Sequence, residues 1–238
     1  MRIWLPIVAV FAILLDAAPL RAAALSVAPT RLNLGTTATT DAVTVRNDGD
    51  QPVLVQVETF RWTGPLGREG LEATRDLLAV PSVFRIGPGQ RQVIRVALRE
   101  PFTGAVEKAY RLLIAEVPEE IGDRGGGIRF TLRLSLPVFV TPAGAAPRPE
   151  WRLERDAGGW KLVLRNAGNA HIRIRNLRLR PENGDRVIEP AEPAAYVLAG
   201  AEHEWRLPAG AMRRASRFIL EADSQGGPIS VPLAAKGS

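Results

Sequence analysis

Residues 128–140, IRFTLRLSLPVFV, limit what this chain can fold into more than any other stretch. Ile128, Phe130, Leu132, Leu134 and Leu136 fall on every second position, and Arg129, Thr131, Arg133 and Ser135 fill the gaps. A period of two places the first set on one face of a β-strand and the second on the other. The segment is about 13 residues long, roughly twice the usual strand length. Pro137 removes a backbone donor, which places the strand at a sheet edge or a bulge. A long apolar edge is an aggregation hazard that proteins normally avoid. Two readings follow: the strand pairs with another protein's chain, or it is an ordinary core strand of a β-sandwich.

The N-terminus carries an export signature. Arg2 is followed by an apolar run over residues 5–15, and Ala22, Ala23 and Ala24 offer small-residue cleavage positions. This pattern predicts a signal peptide over residues 1–24, cut after Ala24. The apolar run is short for a membrane span, so no stable membrane insertion is expected. The remainder, about 214 residues, is enough for one large or two small domains. There is no cysteine, so an exported chain of this kind is held by its cores alone, without disulfides, thiol chemistry or sulfur-ligated metals. The net charge of +6 becomes about +5 once residues 1–24, with Arg2, Arg21 and Asp16, are removed. Its arginines are scattered along alternating strands with no basic run, which argues against nucleic acid as a partner.

From Leu25 onward, short alternating segments are separated by turn residues. Residues 25–34 form the first, with Pro29 marking an edge or a switch between sheets. Residues 42–46 and 53–62 flank Asn47-Asp48-Gly49-Asp50, a strong turn signal. In the second arm Val53, Val55, Val57 and Thr59 share one face, and Leu54, Gln56, Glu58 and Phe60 the other. Residues 77–99 are divided at Gly87-Pro88-Gly89, residues 109–117 read as a buried strand, and residues 119–127 as a charged, glycine-rich hinge. About seven strands with regular turn signals predict an all-β sandwich. Residues 143–149 have linker composition, and a second β pattern follows to the end. The expected organisation is a signal peptide (1–24), a first domain (25–142), a linker (143–149) and a second domain (150–238). VTVRNDGDQPV from Val43 matches LVLRNAGNAHI from Leu162, which points to two sandwiches of similar topology.

Catalytic material is sparse. His171 and His203 stand apart, and there is no nucleophile–base pairing, no HExxH and no metal-ligand spacing. Neither an enzyme nor a cofactor or metal site is expected. Arg31 sits in an otherwise apolar stretch, where a guanidinium suits bidentate capture of a carboxylate or covers apolar neighbours with its stem. Arg85, Glu107 and Asp223 are flanked by apolar segments and are candidates for a buried or interdomain ion network.

Taken in order, LSVAPTRLNL, VTVRNDGDQPVLVQV, LLAVPSVFRIGPGQRQVIRVAL, EKAYRLLIAEVPE and RLSLPVFVTP resemble the periplasmic chaperones of chaperone–usher pilus assembly, PapD-like and nearest to the branch linked to spore-coat-like pili. The resemblance is strong over residues 25–142 and thin beyond. It implies two Ig-like domains set at an angle around a cleft, in the periplasm. The last strand of the first domain would be lent to an incomplete Ig-like pilus subunit, with Ile128, Phe130, Leu132 and Leu134 as apolar plugs and main-chain bonds supplying affinity. An outer-membrane usher would receive the complex, and a self-capping dimer is a further possibility. In the family an arginine of the first strand and a lysine of the donor strand hold the subunit's terminal carboxylate. Arg31 matches the arginine, whereas Pro137 stands in the lysine's place, leaving Arg133 or Arg173 as substitutes. The alternative is an exported two-domain Ig-like binding or adhesin module with the long strand inside its own core.

Overall fold

A computed structural model describes residues 25–64, 70–118, 131–210 and 216–236. The signal-peptide segment, the hinge from residue 119 to 127, Ile128 and Phe130 lie outside the described residues. All the regular structure described is β apart from a single 3₁₀ position at Gly70, in two sandwiches.

The first sandwich has a sheet of β1 (Leu25–Ala28), β3 (Thr40–Asn47), β8 (Arg91–Leu98) and β6 (Leu77–Val80), in that order. Facing it are β2 (Leu32–Gly35), β10 (Arg133–Thr141), β9 (Lys108–Glu116), β4 (Val53–Trp62) and β5 (Leu71–Ala73), with β7 (Val83–Ile86) also paired to β4. The predicted first strand is therefore two. β1 runs antiparallel to β3, the chain crosses over at Pro29, Thr30 and Arg31, and β2 joins the other sheet parallel to β10. Proline at the crossover costs no ladder bond, which is why the switch falls there. Val43, Val45, Val55, Val57, Ile94, Val96, Leu112 and Ile114 fill the space between the sheets. The alternation on β4 appears as read: Val55 and Val57 are buried and Gln56 is exposed.

The second sandwich follows the path β14 (Ala195–Val197), β13 (Ile172–Pro181), β16 (Arg217–Ser224), β17 (Gly227–Lys236), β11 (Pro149–Asp156), β12 (Gly159–Asn166) and β15 (Glu202–Arg206). The path folds over at β17, which meets β11 at only two residue pairs, so both halves share one core around Leu164, Ile174, Phe218 and Trp205. Ile188 adds a single bridge to Leu179.

The internal repeat has a physical basis. Asn47 and Asn166 are both fully buried at the end of a strand. Asn47 Nδ2 donates to the carbonyls of Gln51 and Ile86, and its Oδ1 accepts from the Gly49 amide. Asn166 Nδ2 donates to Ala170 and Val197, and its Oδ1 accepts from the Gly168 amide. Gly89 and Gly200, both with positive φ, donate their amides to the Asn47 and Asn166 carbonyls respectively. In each domain one asparagine thus ties a tight turn to a neighbouring hairpin, and no aspartate could do so, because the Nδ2 donors are required.

Residues 143–149 are not a free tether. Ala146 and Arg148 donate their amides to Asn169 and Asn166 side chains, and Ala167 and Asn169 return amides to Arg148 and Ala146 carbonyls. Gly168 is required by this contact, since a Cβ there would collide with the Ala146 oxygen and the Arg148 nitrogen.

Candidate functional site

Strand β10 has two different edges. On one side it pairs with β9 over its length, from Arg133↔Ala115 to Val140↔Lys108. On the other it meets β2 only from Val138 onward, and among the described residues no strand flanks Arg133 to Pro137. The crossover of the first strand produces this opening, because β1 is spent on the opposite sheet. The Glu116 amide donates to the Leu132 carbonyl, so in this antiparallel ladder the even-numbered residues of β10 turn their backbone groups to β9 and the odd-numbered ones turn theirs away. The amides and carbonyls of Arg133 and Ser135, with the Pro137 carbonyl, therefore face the open edge. Pro137 lacks a donor on the open side, where none is needed for the fold, in line with its reading as an edge residue.

The apolar face of β10 changes character along its length. Leu136, Val138 and Val140 are sealed in the core of the first sandwich, whereas Leu132 and Leu134 are only partly buried against it. The half-covered pair sits where the neighbouring strand is missing. Edge and apolar face are open together at the same place.

Beside this edge the crossover and the second domain form a cleft of about 430 Å³ lined by Pro29, Thr30, Arg31, Asn33, Arg173, Arg175 and Gln225. None of its three guanidinium groups is paired with a carboxylate among the described residues. The Gln225 side chain accepts the Arg173 amide at 2.7 Å and donates to the His171 carbonyl at 2.8 Å, fixing the rim. The structure brings Arg31 and Arg173 together and does not bring Arg133 to them: Arg133 Nη2 lies 3.7 Å from Glu58 at the surface.

The predicted network of Arg85, Glu107 and Asp223 is not assembled. Arg85 is exposed on β7, and Asp223 accepts from Asn176 Nδ2 at 2.7 Å. Glu107 does bridge the domains, with other partners. Its side chain is 1% exposed and faces His171 Nδ1 at 2.8 Å. It also accepts the His171 amide and the Thr141 hydroxyl. Burial pushes the Glu107 carboxyl up, but the His171 and Thr141 hydrogen bonds outweigh it and hold the group below its ordinary range. The His171 ring stacks on Phe139 at 3.5 Å between centroids, and Trp62 and Tyr196 complete an aromatic plug between the sandwiches. Asn169 adds two bonds across the boundary, accepting the Glu107 amide and donating to the Ala105 carbonyl.

The family assignment comes from the sequence of the first sandwich. Residues 24–146 match the family of pili and flagellar-assembly chaperones, PapD N-terminal domain. The chain belongs to this family. Solved structures extend the likeness to both sandwiches. A chain of the CsuC–CsuE chaperone–tip adhesion subunit pre-assembly complex of Acinetobacter baumannii aligns with a TM-score of 0.64 at 18% identity, covering 90% of this chain and 100% of that one. The Escherichia coli chaperone DraB aligns at 0.61 and 18% identity, covering 90% and 98%. A chain of the Salmonella enterica SafA pilin–SafB chaperone complex aligns at 0.62 and 16% identity, covering 90% and 96%. No curated protein matches. At these identities the structural likeness bears on the fold, and the PapD-like chaperone assignment of the N-terminal half rests on the sequence match.

Among the described residues no group of three or more histidine, cysteine, aspartate or glutamate side chains could hold a metal, and no helix is long and apolar enough to cross a membrane. Sequence reasoning missed the role of His171, because its partner Glu107 is 64 positions away. It also passed over Arg111, whose flanking pattern of alternating and continuous apolar residues gave no sign that its face would be covered by the second domain.

Proposed function

We propose that this protein is a periplasmic chaperone that completes pilus subunits by lending them the open edge of β10, and then yields them to an outer-membrane usher. The observation that carries this reading is the unflanked backbone from Arg133 to Pro137 beside the half-covered Leu132 and Leu134. An incoming strand gains main-chain bonds to Arg133 and Ser135, while the groove left by a missing strand in the subunit receives the leucines. Ile128 and Phe130, outside the described residues, continue the same alternation and are proposed as the outer two plugs. Fully burying one such side chain contributes about 1.5–3 kcal/mol, so the described pair, already half covered, supplies about half of that each, ~1.5–3 kcal/mol together, toward a subunit that lacks a strand of its own. SafB is seen with the SafA pilin and CsuC with the CsuE subunit, which supports a subunit of this class as the partner. Arg31, with Arg173 across the cleft, is proposed to hold the subunit's terminal carboxylate. The export signature over residues 1–24 supports a periplasmic place for the chaperone after cleavage at Ala24, and the proposed work is binding, with no bond made or broken.

The test is co-expression with an exported pilus subunit, reading soluble subunit recovered from periplasmic extract. Leu132→Glu is expected to abolish recovery while the chaperone remains folded. Arg31→Ala is expected to weaken the complex with the fold unchanged. Full subunit protection by the Leu132→Glu chaperone removes the donor role and leaves an exported two-domain binding module.

A further inference from the structure

The seam between the sandwiches holds a buried ionisable pair. The side chains of Glu107, at the head of β9, and His171, just before β13, are 1% and 9% exposed, with the carboxylate 2.8 Å from Nδ1. An ionised carboxylate only accepts, so Nδ1 carries the proton and Nε2 is the nitrogen left for a second one. Nε2 is buried with no hydrogen-bond partner. Among the described residues no other carboxylate lies within bonding reach of the ring. The charged groups packed around the pair are cations. Lys108 of β9 and Arg61 of β4 line a cavity with Glu107 and share Asp76 on their far side. Arg111 of β9 lies over the Trp62 ring at 3.8 Å, and Arg173 of β13 over the Tyr196 ring at 5.3 Å.

The pair is tied to both walls of the cleft. Thr141 of β10 donates its hydroxyl to the second Glu107 oxygen at 2.7 Å, and Phe139 of the same strand carries the imidazole, its ring 8° from parallel. Val138 and Val140 point into the first core, so Phe139 and Thr141 stand on the outward face of β10, just past Pro137. On the other wall the His171 carbonyl accepts from Gln225, whose side-chain oxygen accepts the Arg173 amide. Gln225 and Arg173 line the cleft together with Arg31. Any displacement of His171 therefore carries the second-domain rim of the cleft with it. The cavity of about 410 Å³ that Glu107 lines with Arg61, Lys108 and Gly200 gives solvent protons a route to the carboxylate.

We propose that Glu107 and His171 form a two-proton latch between the sandwiches: one added proton leaves it closed as an ion pair, and a second, taken up in acid, opens the seam and withdraws the Gln225–Arg173 rim from β10. With the first proton the imidazolium keeps Glu107 as its counter-charge. With the second, Glu107 is neutral, and a buried imidazolium with an unbonded Nε2–H stands among cations. An unpaired buried charge is too costly to hold, and parting the seam lets water reach the ring. Burial pushes the Glu107 carboxyl up, but the His171 and Thr141 hydrogen bonds outweigh it and keep the group below its ordinary 4.5. The closed state is therefore complete above that value and is lost as pH falls through the lowered one. What the opening does to a bound subunit rests on the reading of β10 as a lent strand; the latch itself does not.

The experiment takes the full mature chain, without subunit, from about pH 7 to about pH 3.5. Residual dipolar couplings report the relative orientation of the sandwiches, and amide protection reports whether each remains folded. The wild type is expected to keep one orientation down to about pH 4.5 and to lose it below, before either core gives way. Glu107→Gln keeps a carbonyl for Nδ1–H but no counter-charge, so one proton on the ring is enough. Its seam should open below about pH 6.5, the ordinary imidazole range, an upward shift of about two pH units. His171→Gln, which never charges, should stay closed over the whole range. An unchanged wild-type orientation at about pH 3.5 overturns the latch, and so does reorientation that coincides with unfolding of the cores. The same opening pH in Glu107→Gln, or wild-type opening in His171→Gln, overturns it too. No readout involves a subunit, so failure of the lending role leaves these outcomes standing. The wild-type titration decides even if a variant fails to fold.

Discussion

The alternation of backbone direction along β10 makes a sharp prediction from two adjacent residues. Ser135 is odd-numbered, so its amide faces the open edge, whereas the Leu134 amide is turned to β9, opposite Ile114. Ser135→Pro removes no bond from the free fold, just as Pro137 removes none. For a docking strand it deletes one hydrogen bond worth about 0.5–1.5 kcal/mol. It also sets a ring where a partner carbonyl must come within about 2.9 Å, costing the adjoining bond as well. The sum, about 1–3 kcal/mol, weakens a subunit complex about 5- to 150-fold. Leu134→Pro acts on the other side: it strands the buried Ile114 carbonyl at about 1–3 kcal/mol and forfeits a leucine contact worth about 1.5–3 kcal/mol. Denaturant unfolding of each free variant, paired with subunit recovery after co-expression, reads both effects. The expected pattern is a stable Ser135→Pro chain that recovers little subunit and a Leu134→Pro chain that is itself unstable. Equal destabilisation of the two free variants would refute the assignment of the backbone directions, and undiminished subunit recovery by Ser135→Pro would refute the edge as the docking place.

Asn47→Ala and Asn166→Ala each leave buried carbonyls without donors, so each is expected to cost about 1–3 kcal/mol, the first in the N-terminal sandwich and the second in the C-terminal one; a double variant in chemical unfolding should show additive losses. Glu107 has a folded-state pKa below its ordinary 4.5, so its contribution is complete above about pH 4.5 and is lost as pH falls through the folded value. Unfolding free energy should rise with pH through the acidic range and then level off for the wild type, and Glu107→Gln should flatten part of that slope; an unchanged slope would remove Glu107 as a source of acid sensitivity. Gly168→Ala should loosen residues 143–149 from the second sandwich, seen as faster amide exchange at Ala146 and Arg148, because the added methyl falls on backbone that has no room to give.

Much of this architecture is written in periods and turns. The alternation in 53–62 and 128–140, Pro29 at the crossover and the repeated Arg-Asn-x-Gly turn each express a local rule, so they read directly as strands, a sheet switch and paired sandwiches. The short strands β5 and β14 carry no such pattern, being three residues each and defined only by what they pair with. Of the candidate site, the sequence conveys the alternation along β10 and the place of Arg31 beside the crossover proline. It does not convey which residues from distant strands share a face. Arg133 looked eligible because it lies on the same strand as Pro137, yet at the surface it is met by Glu58. Arg85 and Asp223 looked eligible because apolar neighbours surround them in sequence, but flanking hydrophobicity says nothing of which face a charge occupies. The Glu107–His171 contact and the seating of Arg111 on the Trp62 ring arise only once register and domain packing are fixed.

Among the described residues the outward-facing backbone of Arg133 and Ser135 has no strand partner, and amide hydrogen exchange at single-residue resolution reads this most directly. In the free chaperone the amides of Arg133 and Ser135 should exchange far faster than those of Leu134 and Leu136, which are held by β9, and a bound pilus subunit should slow the first pair selectively. Protection of Arg133 and Ser135 equal to that of Leu134 in the free chain would mean that the edge is already filled, and would contradict the account.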